Sequence, residues 1–78
     1  MRWLFIKREE TDEYIRYSYS RESSAEGTII YDKLRKESRM EKLCGIDETD
    51  WDISKALGKF ESCVVREAFP VKRLVVIG

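Results

Sequence analysis

Asp50-Trp51-Asp52-Ile53-Ser54-Lys55-Ala56-Leu57-Gly58-Lys59-Phe60-Glu61-Ser62-Cys63-Val64 is the stretch on which the fold turns. Ile53, Ala56, Leu57, Phe60 and Val64 recur at i, i+3, i+4, i+7 and i+11, the single apolar stripe of an amphipathic helix. Lys55, Lys59, Ser62 and Arg66 fall off that stripe. Thr49 with Asp52 three residues later has the spacing of a capping box, and the acidic run 47–52 suits the positive end of a helix dipole. Pro70 stops the helix and pushes Phe69 before it toward extended geometry. A helix over 50–68 would be about 28 Å long. Gly58 lies inside it, at a point of close approach or on the solvent side.

Upstream of this helix the period changes to two. Trp3-Leu4-Phe5-Ile6-Lys7 is a short apolar run that reads as a strand covered on both faces. Arg8 to Glu13 is charged and aperiodic, and reads as a turn. Tyr14 to Ser20 alternates, with Ile15, Tyr17 and Tyr19 on one face and Tyr14, Arg16 and Ser18 on the other. Thr28 to Asp32 is a third strand. Residues 33–43 contain good helix formers but no helical face, because Glu37, Ser38 and Glu41 stand where a stripe needs apolar residues. A charged hairpin turn leading into a fourth strand near Arg39 to Cys44 fits better, with a short helix as the alternative. Downstream, Val71 to Ile77 is a last strand, apolar on both sides from Leu74.

The 78 residues allow one domain, 1–78. The order ββββαβ gives an α+β fold: a mainly antiparallel sheet of about five strands with one long helix on one face. Hairpins join the first four strands, and the helix returns the fifth to the first, for a spatial order 5-1-2-3-4.

Lys plus Arg and Asp plus Glu both total 15, so the formal charge is zero and there is no cationic excess for a polyanion coat or an anionic membrane surface. Hydrophobic residues at 42% are too many for a disordered chain. No apolar run reaches the roughly 18 residues of a membrane span, and no signal-peptide core follows the start. The expected location is cytoplasmic. Cys44 and Cys63 are expected as reduced thiols, since a disulfide-stapled small domain carries more cysteines.

The chain has no histidine, so Ser–His and Cys–His nucleophiles are excluded. Neither register of the acidic run 47–52 places Gly and Glu where a calcium loop needs them. The four glycines are scattered, with no phosphate-cradling loop. No catalytic, metal or cofactor residue is assigned, and no cofactor is expected.

The set Ile30-Tyr31-Asp32, Asp50-Trp51-Asp52-Ile53 with Ala56-Leu57 and Phe60, then Phe69-Pro70 and the terminal Val76-Ile77-Gly78 resembles small uncharacterised bacterial proteins. The resemblance implies a bacterial chain of unassigned function and no residue roles.

One helix covers only two or three strands of one face, so the other face is left open. Trp3 and Phe5 alternate with Leu4 and Ile6 in strand 1, and whichever pair faces away from the helix is exposed, joined by Tyr14 and Ile30. The leading expectation is a non-enzymatic protein-interaction module acting through a sheet face, as a homodimer or with a heterologous protein. Its candidate interface is Trp3, Leu4, Phe5, Tyr14, Arg16 and Ile30. A single-stranded nucleic-acid-binding sheet using Tyr14 and Arg16 is the second reading, and a small enzyme the third.

Overall fold

The computed structural model describes residues 2–21, 26–42 and 50–76. Five strands, β1 (Arg2–Glu10), β2 (Tyr14–Arg21), β3 (Gly27–Asp32), β4 (Glu37–Lys42) and β5 (Lys72–Val76), form one sheet in the order β4-β3-β2-β1-β5. Every adjacent pair is antiparallel. Among the described residues a single helix, α1 (Asp50–Phe60), continues into a π-helical turn at Glu61–Val65. This is the expected α+β fold, and strand 1 sits inside the sheet as its two-sided apolar run requires. No helix among the described residues is long and apolar enough to cross a membrane.

β1 runs further than its apolar run. Arg8 to Glu10, expected as turn, remain in the strand beyond a register shift between Lys7 and Glu9. Ion pairs hold this charged extension: Glu9 to Arg16, and Glu10 to Lys7 at 3.1 Å and Lys33 at 3.0 Å. The turn itself is set by Thr11, whose Oγ1 accepts the N–H groups of Glu13 and Tyr14, both at 3.1 Å. Residues 33–36 are the hairpin turn leading into β4, organised by Asp32 Oδ1, which accepts Leu34 N–H at 2.9 Å and Arg35 N–H at 3.1 Å.

Phe5 pairs with Tyr19 and Tyr17 with Ile29, which puts Trp3, Phe5, Ile15, Tyr17, Tyr19 and Ile29 on one face. All six are buried there, with Ala56, Phe60 and Val64 from the helical side and Val75 from β5. Trp3 and Phe5 are fully buried, so these two candidate interface residues belong to the core. Phe60 lies edge-on to Phe5 at 5.7 Å and to Tyr17 at 5.2 Å between ring centroids. Buried Ala56, Phe60 and Val64 are spaced by four, a row that drifts around an ideal α-helix. The wider π turn, closed by Arg66 N–H on the Glu61 carbonyl at 3.1 Å, keeps Val64 on the face of Phe60.

The helical segment therefore ends earlier than 68. Phe69 N–H bonds to the Val64 carbonyl at 2.9 Å and Ala68 N–H to the Val65 carbonyl at 3.2 Å, the two bonds of a Schellman motif with Ala68 at C′. Ala68 has φ 63° and Phe69 φ 59°, so Phe69 is left-handed and not extended. The local preference before proline is overridden by this closure and by the ring of Tyr31, 4.9 Å from that of Phe69. Ala68 is exposed, and an L side chain in this conformation costs about 1 kcal/mol relative to glycine. Ala68→Gly should therefore raise stability by about 1 kcal/mol and the melting temperature by about 4–8 °C. A calorimetric scan showing no rise would contradict the left-handed C′ assignment.

Candidate functional site

Both edges of the sheet carry charged side chains. β4 carries Glu37, Arg39, Glu41 and Lys42, a charged strand of the kind that discourages edge pairing. On β5 the Val71 carbonyl accepts Lys7 N–H at 2.8 Å, so by antiparallel alternation the Leu74 carbonyl points outward. Arg73 Nη1 donates to that carbonyl while its Nε lies 3.2 Å from both carboxylate oxygens of Glu67. The outward carbonyl at the centre of the strand is thus occupied by a side chain.

The face away from the helix carries Leu4, Ile6, Tyr14, Arg16, Ser18, Ile30, Leu74 and Val76 by register. Two arginines divide it. Arg8, from the bulge of β1, reaches across to Ser18 Oγ at 3.1 Å and Glu26 at 3.2 Å. Ser18 is buried, and its hydroxyl gives its own proton to the Ile6 carbonyl at 3.5 Å. Arg16 bonds to Glu9, and its Nη2 bonds to Glu41 at 3.5 Å. Its Nε lies 3.3 Å from Glu41 without the alignment of a hydrogen bond. The guanidinium also stands 5.2 Å from the centre of the Tyr14 ring. Its hydrogen bond to Glu41 holds Arg16 still more firmly in the charged form, and the hydrogen bond to Glu9 raises the Tyr14 phenol above its ordinary range. Glu10 is lowered by hydrogen bonds from Lys33 and then Lys7.

Ile30 lies between Arg16 on β2 and Arg39 on β4 and is only 5% exposed. It is a floor residue, and its expected place in the open patch is corrected accordingly. Long side chains folding over the apolar surface account for this half of the face. A hollow of about 300 Å³ remains there, with Tyr14, Arg16, Ile30, Arg39 and Glu41 among its lining.

The apolar surface that stays open is on the other half. Leu4 pairs directly with Leu74, and Val76 stands opposite Arg2. Leu74 is 49% and Val76 61% exposed, whereas Leu4 and Ile6 are half-buried. A shallow hollow of about 240 Å³ opens between Arg2, Leu4, Ser20 and Leu74. Of the six candidate residues, then, Leu4, Tyr14 and Arg16 lie at the surface of one face, but Leu4 is separated from the other two by the Arg8 bridge. Leu74 and Val76 complete the Leu4 patch. The register of β5 against β1 identifies them, and a single-strand reading of Leu74 to Ile77 could not choose between the two parities.

Asp52 binds Arg21 at 2.7 Å and so ties the start of α1 to the end of β2. Among the described residues no group of three His, Cys, Asp or Glu could hold a metal ion. Cys63 is a free, half-buried thiol beside the hydroxyl of Ser62 at 3.6 Å. Cys44 and the Thr49 end of the proposed capping box lie outside the described residues. Comparison of the chain with protein-family models, curated proteins and solved structures gave no match in any of the three.

Proposed function

We propose that the chain is a non-enzymatic association module, that its working surface is the sheet face away from α1, and that the occupant of that face is a second copy of the chain. The observation that carries this reading is the Leu4, Leu74 and Val76 strip, left open on a sheet whose edge strands carry charged side chains. Charged edge strands disfavour edge pairing and favour face-to-face contact. The zero net charge adds no long-range repulsion between copies, and a twofold axis brings each apolar strip against its equivalent. The beginning of β2 favours this over single-stranded nucleic acid. Arg16 and Tyr14 are both bonded to Glu9, which places a carboxylate where a phosphate would have to sit.

Light scattering over a range of micromolar concentrations should give a mass approaching twice 9.3 kDa. Leu74→Glu should return it to the monomer with little change in melting temperature, because a half-exposed side chain at this position tolerates a charge in the isolated fold. A wild-type protein that stays monomeric throughout would refute the second copy as occupant. A monomer that captures another protein through Leu74 would transfer the face to a heterologous partner.

A further inference from the structure

Backbone strain concentrates in the link between the helical segment and β5. Ala68 and Phe69 follow one another at φ 63° and 59°, and neither is a glycine. Pro70 comes next, and the residue before a proline prefers extended geometry. Two such residues in succession persist only where their surroundings hold them. Besides the two Schellman bonds, three contacts do so: the Phe69 ring against Tyr31, the Tyr17 hydroxyl on the Pro70 carbonyl, and Arg73 paired with Glu67 at 3.2 Å.

The strand that this link delivers is lightly held. β5 lies at the edge of the sheet and pairs with β1 alone. Of its five residues only Val75 is buried. β1 is paired on its other side with β2 from Trp3 to Glu10, so it keeps its place when β5 leaves. The vacated position then needs a strand with the register of β5 and a valine for the core, and a second copy of the chain supplies both. We infer that β5 is exchanged between two copies, with Ala68-Phe69-Pro70 as the hinge. In the exchanged pair each β5 occupies the position of its equivalent on the other copy's β1, so the β1–β5 ladder and the burial of Val75 are kept. The hinge is what changes. Phe69 moves to the extended geometry favoured before proline, and Ala68 leaves the left-handed region. Short links under strain favour association of this kind, because relief of two hinges acts against the entropy lost in joining two chains. The exchange does not rest on contact between sheet faces.

The test therefore uses a chain in which Leu74→Glu removes that contact. Ile6→Cys and Lys72→Cys place thiols on directly opposed residues of β1 and β5, within reach of a disulfide, and Cys44 and Cys63 are replaced by alanine. After refolding from urea at about 1 mM and oxidation, a denaturing gel without reductant should show a covalent dimer. Refolding at about 1 μM should give a monomer with an internal disulfide. Ala68→Gly relieves the closed hinge in both chains, about fivefold each, and should raise the concentration of half-dimerisation about 25-fold. The chain without substitutions gives a second measurement: labelled and unlabelled copies are refolded together at about 1 mM, and isotope-filtered NOEs are read between Trp3 of one and Val75 of the other. Both residues are buried on the helix side, which contact between sheet faces does not reach, and interchain NOEs between them are expected. Monomer bands at both concentrations with no such NOE would overturn the exchange, as would a dimer fraction indifferent to Ala68→Gly. Failure here leaves the sheet-face reading standing, because that reading is tested on the folded chain at micromolar concentration.

Discussion

Phe60→Ala should leave the protein largely or partly unfolded at physiological temperature. The Phe60 ring is completely buried, and its edges meet both Phe5 and Tyr17, which belong to the two central strands beneath the helix. Truncating such a ring costs about 3–5 kcal/mol, the lost transfer energy plus the cavity that the surroundings fail to fill. Collapse is hard here, because the floor of the cavity is hydrogen-bonded sheet and its roof is a helix fixed at both ends. Asp52 ties the start of α1 to Arg21, and Ser38 on β4 donates to Glu61 at 2.9 Å where the π turn begins. A chain of 78 residues has about 4–12 kcal/mol of stability in total, so this one side chain accounts for a large part of it. Urea denaturation followed by circular dichroism gives the measurement. Phe60→Leu should lose much less than Phe60→Ala, because most of the volume is kept. A denaturation midpoint for Phe60→Ala equal to that of wild type would refute the packing of α1 on β1 and β2.

Much of this arrangement was legible in the sequence because two periods are written without ambiguity. Ile53 to Val64 repeats as a helix and Tyr14 to Ser20 as a one-sided strand, and short links between strands dictate their order. Strand 1 is apolar on both sides, so its own residues do not say which set is covered. Its partner does: Phe5 opposite Tyr19 inherits the parity that Tyr17 and Tyr19 share with Ile15. The misreadings came from long-range partners. Arg8 to Glu10 looked like a turn because the residues that hold them in the strand, Arg16 and Lys33, are distant in the sequence. Ile30 looked exposed because its neighbours across the sheet, Arg16 and Arg39, belong to two other strands. Phe69 obeyed no local rule, since a ring on Tyr31 and a carbonyl on Val64 outweighed the preference before proline. Ala68 also concealed the end of the helix, because the glycine that marks a left-handed C′ is missing.

Alkaline solution should weaken the fold through Tyr17. Its side chain is fully buried, and its hydroxyl donates to the carbonyl of Pro70, which joins the centre of the sheet to the link between the helical segment and β5. Burial pushes this phenol from 10.0 up to about 12, with the charge of Glu10 adding to the effect. The folded value is the higher one, so the native state keeps a proton that the unfolded chain gives up. The resulting stability is fully present below pH 10 and is lost as the pH rises through about 12. Each pH unit in that window removes about 1.4 kcal/mol, for a total of about 2–3 kcal/mol. Tyr14 shifts in the same direction but is at the surface, bonded to Glu9, and adds to the trend without deciding it. Unfolding free energies measured in urea from neutral pH to about 12 should therefore fall, and the tyrosinate absorbance of Tyr17 should appear only with unfolding. Tyr17→Phe separates the cause from the general effect of high pH. At neutral pH it leaves the Pro70 carbonyl without its donor and costs about 1–3 kcal/mol. Above pH 10 its stability should decline less steeply than that of wild type, by the contribution of one proton. Parallel alkaline limbs for the two proteins would show that the buried phenol is not what the fold loses.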